Sequence, residues 1–337
     1  MKFDFVVLGA TGLQGKIVSK DLLENNYSVL MCGRDKSRIT HLLDKYDKTS
    51  FEYVDIRDVK NATKVISKSG SDVVVNCMEG DWNLDALSAC IKSNASCLDL
   101  GSEIWMTKEQ FKLDSLLKKK NLVSITGCGS VPGIGNVMLR HAADKLDSIE
   151  TISVGFSWDS NIKKFVVPFS IKSIIEEFTD PAPIIEQKKF LKRNPLDSII
   201  LDYHRKIGKQ KEFFVRHPET YTFYHYFKDK GVKNVKFYAG FPQHSFEKII
   251  AMIDLGLASK EPIDFEGKKI APVDFLAEVL KRIKIPKGYE EKENLWVKII
   301  GKKNGAKKNI LMECIVPTLE KWHDAGCNID TGMPASI

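Results

Sequence analysis

The chain has 337 residues, 43% of them hydrophobic and 28% charged, with a net charge of +7. That length and composition suit a globular protein with core enough for two domains, and no apolar run approaches the roughly 18 residues of a membrane span. The basic balance does not make a nucleic-acid surface, because 51 Lys and Arg are dispersed among 44 acids and no nucleic-acid module signature occurs. Seven cysteines, at 32, 77, 90, 97, 128, 314 and 327, stand singly with no CxxC pair. They read as reduced thiols of a cytoplasmic protein, and their scatter speaks against a zinc site.

The first half alternates short β-like runs with amphipathic stretches. MKFDFVVLGATG carries an Asp inside its apolar run and passes straight into a glycine loop, so it is a strand and not a signal peptide. The expected strands are Phe5–Leu8, Ser28–Met31, Phe51–Val54, Val73–Val75, Cys97–Leu100 and Leu122–Ile125. Lys16–Leu23, Ser37–Tyr46 and Leu84–Lys92 have helical periodicity, and Lys118 to Lys120 end a further helix, where cations offset the macrodipole. Strand and helix alternating at this spacing predict βαβ units and a parallel sheet.

Beyond residue 148 the rhythm changes. ETISVGFSW and KKFVVPF read as longer strands, and PFSIKSIIEEFTDPAP as a helix stopped by two prolines. NLWVKIIG and NILMECIV flank an Asn304-Gly305 pair, a strong hairpin signal. Strands that follow one another without helices predict an α+β second domain. No internal repeat or low-complexity linker occurs.

The motif after the first strand is VVLGATGLQGK. Gly9, Gly12 and Gly15 sit between a strand and a helix, the context of a dinucleotide loop. The first glycine makes the turn, the second lets backbone approach a pyrophosphate, and the third packs helix on strand. At the end of the second strand, MCGRD puts Gly33 where an NAD site carries an acid, and Arg34 follows. An arginine there accommodates a 2′-phosphate, so the reading leans to NADP over NAD. Alternatively Arg34 starts a solvated helix that Asp35 caps.

Cys77 and Cys128 each follow a strand of the expected sheet. Either could be an acylating nucleophile, but no nearby His would activate it, and a buried cysteine is equally a small hydrophobe. Tyr224 and Lys228 have the spacing of a reductase pair, one that chance supplies in a lysine-rich chain, and are discounted. Seven histidines show no metal spacing; His244, in a loop ahead of a helical pattern, reads equally as a substrate contact or as a polar residue at a helix start.

At GCGSVPGIGN, residues 127 to 136, the sequence resembles the glycine–x–x–proline–glycine–x–x–asparagine loop of the saccharopine dehydrogenase-like family, which includes lysine 6-dehydrogenases and carboxynorspermidine dehydrogenase-type enzymes. A Pro-Gly turn before a helix again offers backbone amides. The resemblance continues through PFSIKSIIEEFTDPAPII, KNVKFYAGFPQHSFEKIIAMIDLGL, EPIDFEGKKIAPVDFLAEVL and DTGMPASI, and so spans nearly the whole chain. It implies an α/β fold with a Rossmann doubly wound parallel sheet over 1–127 and an α+β substrate and dimerisation domain over 128–320. Residues 321–337 would return to the first domain, and a homodimer is implied.

Matched to the family, Asn76 and Cys77 lie beside the nicotinamide ribose, Asp99 is the acid at a strand end, Pro132, Gly133 and Asn136 form the second loop, and His244 is the histidine of an arginine–tyrosine–proline–glycine–histidine stretch. The cofactor contacts expected are then Gly9, Thr11, Gly12, Leu13, Gln14, Gly15, Arg34, Asp55, Ile56, Asn76, Cys77, Pro132 and Gly133. Three departures stand out. Gly240 takes the arginine's place and removes a carboxylate clamp, Gly127 replaces an acid of lysine dehydrogenases, and the chain stops at Ile337 where the family continues with another helix.

The expected activity is an NADP-dependent oxidoreductase acting on a C–N bond of an amino-acid or polyamine-like amine. A neutral amine gives up hydride more readily, so a carboxylate or His must take its proton. Asp99, Glu103 and His244 are the candidates, with Glu79 and Asp81 as fallbacks. Two other readings stay open: a carbonyl or semialdehyde reductase, and a non-catalytic nucleotide-binding sensor.

Overall fold

The computed structural model describes residues 2–101, 103–167 and 170–337. The chain forms two compact units, Met1–Val137 with Asn328–Ile337, and Met138–Cys327.

The first unit is built on six parallel strands, β1 (Phe5–Leu8), β2 (Val29–Gly33), β3 (Thr49–Tyr53), β4 (Val73–Asn76), β5 (Ser96–Asp99) and β6 (Ser124–Ile125), in the order β3-β2-β1-β4-β5-β6. Six helices follow in the chain: α1 (Leu13–Glu24), α2 (Thr40–Lys45), α3 (Val59–Ser69), α4 (Asn83–Ser93), α5 (Ile104–Phe111) and α6 (Asp114–Lys120). The apolar runs FVVL and VVVN are unbroken because both faces of the sheet are covered. Val6 joins Leu30, Ile66, Val74 and Leu87 on one face, while Val7 joins Val18, Leu22, Met31 and Val75 on the other. Alternate side chains of one strand thus enter two cores, each fully buried Val or Leu contributing about 1.5–3 kcal/mol.

Local signals set the helix ends. Asp58 caps α3 by accepting from the Asn61 amide at 3.0 Å, and Gly70 ends it in the left-handed region at φ 68. The expected strands and helices hold, with boundaries shifted by at most three residues. The Ser37–Tyr46 stretch is two pieces, a 3-10 turn Lys36–Ile39 and then α2, because Asp35 accepts from Ser37 and tightens the start. The reversal of strand order beside β1 places a crevice at the carboxyl ends of β1 and β4, where ligands of such sheets bind.

The chain leaves this unit within α7 (Ile134–Ala143) and its last residues form part of it. Ser336 Oγ donates to Asp21 at 2.7 Å, Ala335 is buried in the core beside Val18 and Leu22, and the backbone at Gly332 lies so close to α1 that a Cβ there would fall 2.6 Å from Ile17 Cγ2. The segment includes a short helix, α12 (Ile329–Gly332).

The second unit carries a mixed sheet. Its long strands are β7 (Ser148–Ser160), β15 (Glu291–Lys303) and β16 (Ala306–Pro317). Between them come α8 (Ile171–Thr179), β8 (Ala182–Glu186), β9 (Lys189–Arg193), β10 (Ser198–His204), β11 (Gly208–Phe214), α9 (Glu219–Phe227), β12 (Asn234–Gly240), α10 (Gln243–Asp254), a small hairpin of β13 (Ile263–Phe265) and β14 (Lys268–Ile270), and α11 (Pro272–Leu280). The sheet runs β10-β11-β12-β7-β15-β16, with β8 and β9 appended at β12. Asn304 and Gly305, at φ 50 and 77, make the two-residue turn joining β15 to β16 as the sequence predicts. Phe178, Phe213, Phe241 and Phe246 interlock between sheet and helices, with centroids 4.6–5.6 Å apart.

KKFVVPF is not a long strand. Residues 163–167 are irregular and the last two of the stretch lie outside the described residues. The amide of Lys164 closes a turn on Ile162 at 2.8 Å, and Phe165 and Val166 are 7% and 8% exposed. Those apolar residues are there to be buried, and burial alone does not require strand pairing.

Candidate active site

The glycine loop follows β1. Gly9, at φ 73, lies so close to the start of the β4 loop that a Cβ would fall 2.9 Å from Met78 and 3.0 Å from the Cys77 backbone. A Cβ on Gly15 would meet the Gly9 carbonyl and lie 2.6 Å from Ala10 Cα. Internal packing therefore requires glycine at both positions. Gly12 differs, since a Cβ there would touch only the Gly9 oxygen, at 3.2 Å. Its bare backbone opens α1, which no side chain caps and whose first turn holds no acid. The amides of Leu13, Gln14 and Gly15 have no partner within the helix, the arrangement that receives an anion. These residues fit the pyrophosphate of a dinucleotide. Gln14 contributes only its backbone, because its side chain turns away to donate to Asn328 at 3.3 Å.

At the end of β2 the side chain of Thr11 fills the volume beside Gly33, and a Cβ on Gly33 would fall 2.6 Å from Thr11 Cγ2. The position has no room for the ribose-binding acid of an NAD site. Arg34 is exposed, and Asp35 is turned to Ser37, accepting its amide at 3.0 Å and its hydroxyl at 2.6 Å. The amide of Val54 donates to the Gly33 carbonyl at 3.1 Å, which brings Asp55 and Ile56 alongside. Ile56 is buried in the core. Asp55 is held at about 2 by its hydrogen bonds to the Arg57 side chain, with smaller help from the charges of Arg57 and Arg34.

Beyond β4 the loop is fixed by buried amides. Asn76 donates to Asn83 Oδ1 at 2.8 Å, and Asn83 donates to the Gly101 carbonyl at 3.3 Å. Cys77 is half-buried, its amide on the Leu8 carbonyl at 2.9 Å, and burial pushes its thiol well up. The Cys128 thiol is pushed up to about 11 by burial and by the Asp99 charge. Neither sulfur is an activated nucleophile, which removes the support for a semialdehyde reading.

Asp99 is 2% exposed and all its acceptor capacity faces protein. Oδ1 accepts the amides of Gly101 at 2.8 Å and Gly127 at 3.0 Å, and Oδ2 accepts Gln110 Nε2 at 2.7 Å. Burial raises its pKa against the pull of those three donors. The carboxylate ties two loops to helix α5, an arrangement that suits a positioning group. The Pro132 ring rests on two of those loops. A Cβ would fall 2.6 Å from it at Gly101 and 2.7 Å from it at Gly127, both of which have positive φ. At Gly127, where lysine dehydrogenases carry an acid, any side chain would meet the proline ring.

The second loop does not offer amides to a ligand as the sequence predicts. Gly129 donates to the Pro132 carbonyl at 2.8 Å, Gly133 to Asn136 Oδ1 at 3.1 Å, Ile134 to Gly129 at 3.0 Å and Gly135 to Ser130 at 2.9 Å. The bonds from Gly129 and Ile134 make up the bridge between Gly129 and Gly133 that a Cβ on Gly133 would break, and Asn136 and Ser130 take the other two donors. Pro132 and Gly133 shape this end of the unit by packing.

Glu103 lies one residue before α5, and its carbonyl accepts the Thr107 amide at 3.0 Å. Glu79 and Asp81 are exposed around the 3-10 turn Gly80–Trp82.

In the second unit His244 is not in a loop but in the first turn of α10, because Pro242 sits at the N-cap and the helix starts at once. Its Nε2 is buried without a hydrogen-bond partner among the described residues. Burial lowers its pKa, Lys163 and Lys248 add to that, and Asp159 opposes it. Sequence reasoning missed a second imidazole. His217 Nδ1 is 2.5 Å from Glu219 Oε2, the carboxylate is wholly buried, and the ring stacks on Phe237 at 3.9 Å. A His-x-Glu spacing was the available signal. Arg57 and Asn83 were also missed. The expected cofactor residues, with Asp99 and Glu103, therefore belong to the first unit, and His244 to the second.

Among the described residues no group of His, Cys, Asp and Glu stands where it could hold a metal ion, and no helix is long and apolar enough to cross a membrane.

Comparison with known proteins adds the following. Residues 5–125 match the saccharopine dehydrogenase NADP binding domain, and residues 129–337 the saccharopine dehydrogenase C-terminal domain. The chain is 23% identical over 350 residues to carboxynorspermidine synthase of Vibrio cholerae, covering 98% of this chain and 84% of the relative. It is 21% identical over 361 residues to carboxyaminopropylagmatine dehydrogenase of Synechocystis, covering 98% and 87%. Among solved structures, apo saccharopine dehydrogenase (L-Glu forming) from Saccharomyces cerevisiae has the same fold, with a TM-score of 0.75 at 12% identity over 99% of this chain and 90% of that one.

Proposed function

Because the chain belongs to the saccharopine dehydrogenase family, we propose that its substrate is a carboxylated polyamine-like amine, or the imine formed from it. The protein is an NADP-binding oxidoreductase of that family. The observation that carries the substrate reading is the end-to-end likeness, through both units, to enzymes named for carboxylated polyamine chemistry. A lysine-derived amino acid is the neighbouring possibility within the same class.

NADP supplies hydride transfer to or from the carbon that bears nitrogen. Gly12 and the first-turn amides of α1 would hold its pyrophosphate, Arg34 its 2′-phosphate, and Asn76 the loop beside its ribose. His244 is assigned the amine proton, since a ring held neutral with an uncommitted Nε2 is able to accept one. Asp99 is assigned a positioning role. All seven cysteines lie outside disulfides, which supports a cytoplasmic setting, and the resemblance to the family supports a homodimer.

The test follows the absorbance of reduced nicotinamide with NADP and NAD offered separately, against L-lysine, saccharopine, short diamines and their carboxylated conjugates. Reduction of NADP by a carboxylated conjugate supports the proposal. Reduction by lysine or saccharopine alone would replace it with the amino-acid reading.

A further inference from the structure

Two guanidiniums, not one, stand where the second and third strands end. We propose that Arg57, clamped by Asp55, is a second cation for the 2′-phosphate of NADP, working beside Arg34. The inference rests on the NADP-binding function of the first unit and concerns how this chain selects that cofactor.

Asp55 accepts the Arg57 backbone amide at 3.1 Å and its Nε at 2.9 Å through Oδ1, and Nε at 3.0 Å through Oδ2, which also pairs with Nη2. Both carboxylate oxygens are thereby filled. Asp55 is left as a poor acceptor for a ribose hydroxyl or an adenine amine, the role its place at a strand end suggests. It acts as a tether instead. A guanidinium has five N–H donors, and the fork to Asp55 engages one edge of it, at Nε and Nη2. The Nη1 side is turned away from Asp55. The arginine side chain is 64% exposed while Asp55 is 18% exposed, so the anchor is sheltered and the cation projects.

The surroundings agree. Gly33 carries no acid and has no room for one beside Thr11, and Asp35 is committed to Ser37. Gly33 supplies no acid, and Asp35 and Asp55 are already engaged, whereas Arg34 and Arg57 remain, with Lys36 and Arg38 in the next turn. The hydrogen bond from Val54 to the Gly33 carbonyl holds the two strand ends together at 3.1 Å. An arginine fixed in orientation loses less freedom on taking a phosphate than a mobile one.

The test measures NADPH and NADH affinity by nucleotide fluorescence, in the absence of any amine, for the wild type, Arg57→Ala and Arg57→Lys at one salt concentration. Both variants change an exposed side chain, and unfolding curves verify that they fold. Arg57→Ala is expected to weaken NADPH about tenfold or more, the loss of a charge-assisted hydrogen bond, with NADH within about twofold. Arg57→Lys keeps charge and loses the fork, and should fall between wild type and Ala. An NADPH/NADH ratio unchanged in Arg57→Ala overturns the proposal, and full wild-type preference in Arg57→Lys overturns the role of the Asp55 clamp. A wild type that binds neither nucleotide would instead overturn the cofactor reading on which the proposal depends.

Discussion

Thr11 and Gly33 share one small volume: a Cβ added to Gly33 would lie 2.6 Å from Thr11 Cγ2 and 2.8 Å from its Oγ1. Cofactor choice at the end of β2 is therefore coupled to a residue of the glycine loop. Gly33→Asp, the change that would install an acid for NADH, should destabilise the protein by about 1–3 kcal/mol through overpacking and leave NADH binding unimproved. Adding Thr11→Ala relieves the crowding. The double variant should regain thermal stability and move the nucleotide preference toward NADH. If Gly33→Asp alone is as stable as the parent, the coupling is wrong.

Gly127 and Pro132 set a similar constraint. Installing the acid of lysine dehydrogenases by Gly127→Asp requires a side chain at φ 77 and a Cβ 2.7 Å from the proline ring. The backbone strain is about 1–2 kcal/mol and the overlap adds about as much again. Chemical denaturation should show a loss of about 2–4 kcal/mol. An unchanged midpoint would mean that the glycine has another cause.

The first unit was legible because each of its signals is local. Parallel strands buried on both faces read as unbroken apolar runs, and the glycine loop occupies seven consecutive residues; in the second unit Asn304-Gly305, just as local, likewise announces its own turn. Contacts that join distant residues left no such mark. Nothing near Asp99 in sequence says that Gly101, Gln110 and Gly127 all donate to it, so it looked like a catalytic acid. The Pro-Gly loop shows where a turn lies but not that the bridge between Gly129 and Gly133 consumes its amides. KKFVVPF misled because apolar content reports burial, and burial needs no strand.

Asp99 should reveal its positioning role through two substitutions. Asp99→Ala strands three buried N–H donors, each costing about 1–3 kcal/mol, and should leave the protein barely folded. Asp99→Asn keeps one acceptor, and Gln110, whose Oε1 is buried without a partner, can turn that oxygen to the new amide. It should be much milder. The pH dependence has a definite sign. Burial raises the folded pKa of Asp99 above its ordinary 3.8, so its contribution to stability is complete below that value and is lost as pH rises through the folded pKa. Relative to Asp99→Asn, the wild type should lose stability over that interval. A constant difference across it would contradict the burial effect.

His244→Ala tests the proton acceptor. Nucleotide affinity should stay at the wild-type level, because the cofactor residues belong to the other unit. Turnover of the amine should fall about 10²–10⁴-fold, the usual contribution of a positioned base. Its pKa lies below 6.5 through burial and the neighbouring Lys163, so wild-type amine oxidation should hold steady across pH 6.5 and decline only below it. An unchanged rate in the variant removes His244 from the chemistry.

Cys128 decides between hydride transfer at a C–N bond and acyl chemistry on sulfur. It sits beside Asp99, its amide on the Asp99 carbonyl at 2.8 Å, and its thiol is pushed up to about 11 by burial and that neighbouring charge. At pH 7 less than about one thiol in a thousand would be ionised, since each pH unit below a pKa is a factor of ten. A nucleophile needs the thiolate. Cys128→Ala should therefore keep amine turnover within about threefold of wild type, and brief exposure to iodoacetamide at neutral pH should leave the activity intact. Complete inactivation in both experiments, with nucleotide affinity preserved, would restore the acylating mechanism.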